Sequence, residues 1–342
     1  MKQRLITLLL AAFLLFSAAF IPSCSQKGLY SEGSGELKIV ASFFPAFDLA
    51  RQIAKENATY TVLQTSGADL HGYSPTASAL TALSEADVFI CVGGISDSIW
   101  LDDVLRAVGN EDLTVIKMSD HAEPILAELE GHSHSDHCHA HHTHSHGEEH
   151  SHGEEHSHDD GHVHESDEHI WTSLKAMAAL TEAVASAFAE ADPENAGIYL
   201  QNAALYRAEL NLLDARYEAV AALSESKTLI FADRFPFVRL TADYGLCHYA
   251  AFSGCSSESE ASFASFVKLS EAVTENHAKY VLVTENGDQG LAKALGEQTG
   301  CGILTVNSMQ SVSRREIKEG ATYLQIMNDN LAVIGKALGV SD

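Results

Sequence analysis

Ile198-Tyr199-Leu200-Gln201-Asn202-Ala203-Ala204-Leu205-Tyr206-Arg207 begins a stretch that carries Leu212, Leu213, Tyr217 and Val220 and reaches Leu223 without a glycine. Good helix formers dominate it. Roughly 28 residues at 1.5 Å each make a rod of about 42 Å, long enough to span two packed domains. The segment 170–190 before it is also helix-forming. Asp192-Pro193-Glu194 between the two reads as a restart, with Asp192 as N-cap and Pro193 at the first helical position. Working outward, residues 37–43, 60–63, 87–92 and 113–117 read as strands, with helices at 47–55, 76–84 and 99–108. On the other side, strands at 228–232, 249–252, 280–284 and 303–306 alternate with helices at 235–243, 258–275, 290–299 and 314–338. Strands alternating with helices build βαβ units and parallel sheets. The predicted architecture is α/β: two parallel-sheet βα domains bridged by a long rigid helix, which restricts motion between them.

Between the first domain and the rod lies a tract of another kind. Residues 131–169 hold 15 His and ten Asp or Glu, with no Lys or Arg. Such a stretch cannot bury enough apolar surface to fold alone and reads as a disordered, solvated insertion. The chain as a whole has 21 Lys+Arg against 47 Asp+Glu, a formal charge of −26. That charge repels phosphate backbones, so no nucleic-acid partner is expected, while cations are attracted. At 46% hydrophobic residues the chain can still form packed cores. Imidazole suits Zn²⁺ and other late first-row cations. His132, His134, His137, His139, His141, His142, His144 and His146 therefore offer weak, interchangeable sites, not one tight cage. His146-Gly147-Glu148-Glu149-His150 and His152-Gly153-Glu154-Glu155-His156 fit a zinc-protease spacing, but that chemistry needs a helix this Gly-rich sequence cannot form. No enzyme activity is expected.

Lys2 and Arg4 precede an apolar run from Leu5 to Ile21, and Ile21-Pro22-Ser23-Cys24 follows. This reads as a secretory signal, too short to span a membrane, and the placement of Cys24 resembles a bacterial lipobox. Cys24 would then be the lipidated first residue, holding the protein outside the cytoplasm at the cell membrane. The expected organisation is a signal peptide at 1–23, a lipid-anchored tether at 24–36, an N-terminal α/β domain at 37–130, the His-rich loop at 131–168, a helical connector at 169–223 and a C-terminal α/β domain at 224–342. Cys91 sits in an apolar run and reads as a buried thiol. One bridge among Cys247, Cys255 and Cys301 is possible, with the pair left open.

Two histidines stand apart from the repeats. His71 follows a strand in Gly67-Ala68-Asp69-Leu70-His71-Gly72-Tyr73-Ser74-Pro75, and His169 lies in Asp167-Glu168-His169-Ile170-Trp171. Loops at the carboxyl ends of parallel strands are where α/β proteins hold ligands. With Phe43-Phe44-Pro45-Ala46-Phe47-Asp48, Ser84-Glu85-Ala86-Asp87-Val88 and Tyr199-Leu200-Gln201-Asn202-Ala203, they stand in an order that resembles the solute-binding lipoproteins of zinc and manganese ABC importers. The resemblance covers nearly the whole mature chain, including the acidic His-rich insertion typical of zinc-type members. It implies a metal cleft between two domains, with His71 and His169 as N-domain ligands. It further implies Zn²⁺ as transported cargo (Mn²⁺ less so), an ABC permease and its ATPase as partners, and a monomer. The family's third ligand position falls on Ala232, with Asp233 beside it as substitute or as a helix N-cap. The fourth falls near Asn307, with Glu285, Glu258 and Glu260 as other oxygen donors, while His248 and His277 read as structural or exposed. The alternatives are a manganese-type component and a surface metal store or adhesin-like protein without a transport role.

Overall fold

The structure, a computed structural model, describes residues 29–65, 70–122, 167–253 and 262–340. The eight tract histidines named above, Cys24, Glu258 and Glu260 lie outside the described residues.

In the N-lobe, β1 (Tyr30–Gly33), β2 (Leu37–Ala41), β3 (Ala58–Val62), β4 (Val88–Cys91) and β5 (Thr114–Lys117) form one sheet in the order β1-β3-β2-β4-β5. All neighbours are parallel except β1, which pairs antiparallel with β3, Tyr30 opposite Val62 and Gly33 opposite Thr59. This corrects the expected tether, since residues 30–33 are an edge strand of the lobe. The alternation that would have announced it is only four residues long, and its buried member is Tyr30, set edge-on to Phe47 at 6.0 Å. The helices are α1 (Phe44–Ala54), α2 (Ala77–Ser84), α3 (Ile95–Ser98) and α4 (Leu101–Val108).

The connector is a pair of helices packed along each other, α5 (Leu174–Ala191) and α6 (Ala196–Leu223). The rod has the expected length, but its start differs. Asp192 closes α5 and Asn195 occupies the N-cap of α6, while Asp192 Oδ2 accepts from Asn195 Nδ2 at 2.8 Å and from the Tyr199 hydroxyl at 2.6 Å. The buried stripe of α6 is Tyr199, Ala203, Tyr206, Leu210, Leu213, Tyr217 and Ala221, spaced three and four apart. Ile198, Leu200, Leu205 and Leu212, which helped to mark the helix, face outward.

The C-lobe sheet, in the order β7-β6-β8-β9, is wholly parallel: β6 (Thr228–Phe235), β7 (Cys247–Ser253), β8 (Tyr280–Thr284) and β9 (Gly302–Val306). Its helices are α7 (Val238–Asp243), α8 (Phe263–Glu275), α9 (Gly290–Thr299), α10 (Arg314–Lys318) and α11 (Tyr323–Ala337). The long helix expected over 314–338 is two, because Gly320 takes a φ of +94° and Thr322 caps a new start through its side chain. Cys247 is disulfide-bonded while Cys91 and Cys301 are free, so the partner of Cys247 lies outside the described residues. His248 stacks on Phe235 at 3.8 Å, and burial pushes its pKa down.

Each strand sends alternate residues to opposite faces. Ile39, Ala41, Val88, Ile90, Leu229, Phe231 and Leu282 enter one continuous core that includes α1, α5, α6 and α11. Val40, Phe89 and Cys91 face a separate outer core of the N-lobe, and Ile230, Ala232, Val281 and Val283 that of the C-lobe. The lobes thus share their inner layer. Polar clamps cross it: Asp48 Oδ2 accepts the Tyr323 amide at 2.7 Å, Arg51 Nη2 donates to the Ala321 carbonyl at 2.7 Å, and Arg314 N donates to the Thr65 carbonyl at 3.2 Å. Shared core and clamps together join the two lobes beside the connector.

At the end of α7, Asp243 accepts from Ser173 Oγ at 2.6 Å with Oδ2, but its buried Oδ1 has no partner among the described residues. Burial pushes this carboxyl up to about 6. A folded pKa above the ordinary 3.8 means that the folded state holds the proton more tightly, so stability from this group is greatest below that value and falls as pH rises to about 6. Asp243→Asn is therefore expected to gain in Tm over the parent progressively from pH 4 to 6 and to hold that advantage above. Thermal scans across that range check it, and a constant offset at every pH would refute it.

Candidate metal centre

β3 ends at Val62, and the loop that follows it returns through a 3₁₀ turn, Leu70–Gly72, anchored by the buried Leu70. That turn places His71 at the carboxyl end of the N-lobe sheet. β4 ends at Cys91 beside it, and the next helix, α3, brings Ser96 to the same spot. His169 arrives from the start of the connector, just before the turn Ile170–Thr172, where its carbonyl accepts from Thr172 N at 3.0 Å and Oγ1 at 2.8 Å.

These segments bring the two imidazoles together, 98 residues apart in sequence (169 − 71), with ring centres 5.5 Å apart and planes at 70°. Two imidazoles on one tetrahedral Zn²⁺, with Zn–N of about 2.0–2.1 Å, have ring centres roughly 5 Å apart. Each ring is held by a carboxylate on its Nδ1. His71 Nδ1 lies 2.9 Å from Glu168 Oε1 and 2.9 Å from Ser96 Oγ. His169 Nδ1 lies 2.9 Å from Asp167 Oδ1, which also accepts the His169 amide at 2.8 Å. A carboxylate on Nδ1 fixes the proton there and leaves Nε2 as the electron-pair donor. His169 is fully buried, and its Nε2 has no hydrogen-bond partner among the described residues.

Glu168 is itself strongly held. Burial alone would raise its pKa, but hydrogen bonds from His71, from the Ser96 hydroxyl at 2.6 Å and from the Ser96 amide at 2.9 Å hold it at about 2. Gly94 permits this approach, because a Cβ there would meet Glu168 Oε2 at 2.5 Å. The tripeptide Asp167-Glu168-His169 thus supplies one ring and orients both. Sequence reasoning missed Glu168, Asp167 and Ser96; an acidic pair directly before His169 was the available signal.

Trp171 explains the remainder of that motif. Its ring lies edge-on to His169 at 5.1 Å and to Phe43 at 4.7 Å, and its indole N–H donates to the Ser308 carbonyl of the C-lobe at 2.8 Å. From the C-lobe, Arg239 Nε and Nη2 donate to the Asp167 carbonyl, each at 3.3 Å. The site therefore sits where the lobes meet.

The C-lobe candidates are engaged elsewhere. Ala232 packs in the outer core of the C-lobe, and the register of β6 on β7 shifts between Phe231 and Arg234. Within that irregularity Asp233 turns to β8, where its Oδ2 accepts from the Thr284 amide at 3.1 Å and from the Thr284 hydroxyl. It is not a helix N-cap. Glu285 accepts from Ser308 N at 2.7 Å, Ser308 Oγ at 2.9 Å and Ser311 Oγ at 3.1 Å, tying down the loop after β9. Asn307 caps its own loop, Oδ1 accepting from Met309 N at 2.8 Å. No group of three or more His, Cys, Asp or Glu arranged to hold an ion occurs among the described residues. Among the described residues the candidate site is thus two imidazoles with their supporting carboxylates.

Comparison with known proteins finds relatives over most of the chain. The streptococcal zinc-binding lipoprotein AdcA (Streptococcus pneumoniae) is 29% identical over 333 residues, 97% of this chain and 60% of that protein. The chain therefore spans about 60% of the length of this relative. The high-affinity zinc uptake system protein ZnuA of Bacillus subtilis is 26% identical over 96% of this chain and 95% of its own length. The crystal structure of the Zn(II)-bound ZnuA-like domain of S. pneumoniae AdcA superimposes with a TM-score of 0.66 at 25% identity, covering 89% of this chain and 99% of that one. Residues 39–337 match the family model described as zinc-uptake complex component A, periplasmic, and the chain belongs to that family.

Proposed function

We propose that this chain captures Zn²⁺ outside the cytoplasm through His71 and His169 and delivers it to the permease of an ABC importer driven by its ATPase. The observation that carries this reading is the pair of imidazoles 5.5 Å apart, each with a carboxylate on Nδ1. Two neutral nitrogen donors favour zinc over manganese, which prefers oxygen. Water, or Asp233 or Glu285 released from their present hydrogen bonds, completes the coordination shell, and a shell of that kind lets the cargo leave. The ion is cargo, and the protein performs no chemistry on it. Cys24 carries the lipid that holds a monomeric protein at the membrane. The tract around His132–His146 concentrates the cation near the cleft.

Calorimetric zinc titration of the mature protein lacking residues 133–164 tests the assignment. One tight site per chain is expected, with uptake impaired only when zinc is scarce. Loss of the tight site on deletion would move the binding function to the tract and leave a metal store in place of an importer component.

A further inference from the structure

Three features sit at one end of the N-lobe. β3 and β4 both present their carboxyl ends there, so the His71 turn and α3 share that end with the mouth of the site. α3 opens on Ile95 and is closed by its C-cap Ile99, one turn on, exposed by 43% and 75%. Asp102 and Asp103, also exposed, lie in the first turn of α4, Asp103 paired with Arg106 at 2.9 Å. On the C-lobe, α8 follows β7 in the chain and opens on Phe263, 81% exposed, the largest exposure of any large apolar side chain among the described residues. Isolated exposed aliphatics are ordinary. Two such projections, one on each lobe and each in a helix that follows a parallel strand toward the carboxyl-end side of its sheet, form a pattern.

The third feature is where the chain begins its fold. β1 runs antiparallel to β3 with Tyr30 opposite Val62, so the start of β1 lies at the carboxyl end of β3, the same end as the mouth. Leu29, just before it, packs against the outer core of the N-lobe. From Leu29 back to Cys24 is five residues (29 − 24), which span at most roughly 18 Å when fully extended. β1 and β4 are three strand positions apart, about 14 Å across the sheet. A lipid on Cys24 thus keeps this end of the N-lobe within a few nanometres of the bilayer.

We propose that Ile95 and Ile99, with Phe263 opposite, form the surface that seats on the outer face of the membrane-embedded permease. This rests on the function proposed above and adds to it which surface docks and what orients it. The complementary partner surface is an apolar socket for each projection, with basic groups at the N-lobe rim facing Asp102 and Asp103. A receiver has to cover the mouth to take the ion, and the short lead from Cys24 removes the orientations in which it could not.

The test uses zinc-loaded protein and its permease–ATPase reconstituted in lipid vesicles, reading ATP hydrolysis against the concentration of the binding protein added in soluble form. Ile99→Ser and Phe263→Ser are each expected to raise the half-saturating concentration about tenfold, the effect of losing a central apolar anchor, with calorimetric zinc affinity unchanged. Leu212→Ser, a comparably exposed aliphatic (69%) on the outer face of α6, is expected to leave both unchanged. In the lipid-anchored protein, a 20-residue Gly/Ser insertion between Lys27 and Gly28 is expected to lower uptake at least about twofold at limiting zinc, as the layer the protein explores thickens with the tether's reach and its orientation is released. Half-saturation of both serine variants within about twofold of the parent would overturn the docking surface, and uptake indifferent to the insertion would overturn the orienting lead. A parent protein that stimulates no hydrolysis at all would instead overturn the transport function, and this proposal with it.

Discussion

His71→Ala or His169→Ala is expected to abolish stoichiometric tight zinc binding, with an affinity loss of at least about a hundredfold in calorimetric titration. Among the described residues two imidazoles meet at this point, so removing one leaves a single nitrogen donor there, and water cannot replace its bond strength. His169 should show the larger effect. It is fully buried with Nε2 aimed into the site, so its loss also opens a cavity beside Trp171. Glu168→Gln separates ligation from orientation. The amide keeps the shape and can still meet Ser96, but it no longer carries the charge that fixes the proton on His71 Nδ1. A loss of about 10–100-fold is expected there, the usual effect of removing a carboxylate behind a metal-bound imidazole. Metal binding also competes with protons for the same nitrogens, so parent affinity should fall on acidification. Tight one-to-one binding that survives loss of both histidines would remove the cleft from the account of this protein.

Trp171→Ala is the second large effect. The side chain is fully buried, meets Phe43 and His169 edge-on, and reaches into the C-lobe with its only polar atom. Truncation leaves a cavity and costs about 3–5 kcal/mol, which should lower Tm by roughly 10 °C. Zinc affinity should fall with it, since the His169 ring loses one of its walls. Trp171→Phe restores most of the volume but leaves the Ser308 carbonyl without its donor, a loss of about 1–3 kcal/mol. The order parent, Phe, Ala in thermal scans and in zinc affinity is the expected result. A Phe variant as damaged as the Ala variant would assign the stability to the hydrogen bond instead of the packing.

The fold was legible because strands covered on both faces are almost uniformly apolar, as in Val88-Phe89-Ile90-Cys91, and the helices between them carry their own periodicity. The rod of α6 was legible in length, but its buried face was not, since its outward row of Ile198, Leu205 and Leu212 is more apolar by composition than the tyrosine stripe that packs. β1 escaped because four residues with one buried tyrosine carry too little pattern, and the break at Gly320 because a single glycine is compatible with a helix. At the site, His71 and His169 were legible as residues standing apart from a repetitive tract. Their supports were hidden, because Glu168 and Asp167 look like the end of an acidic run until the chain brings Ser96 and His71 beside them. Asp233 and Glu285 show the reverse: carboxylates at strand ends that the fold uses to tie loops together.

The clamp between α1 and α11 also ties the start of the fold to its finish. Asp48 and the amide it accepts are 275 residues apart, so one oxygen of a carboxylate buried in the first helix of the N-lobe finds this partner only when residue 323 is in place. A chain cut short ahead of residue 323 would therefore lose a contact at its opposite end and leave a buried acceptor there unmet.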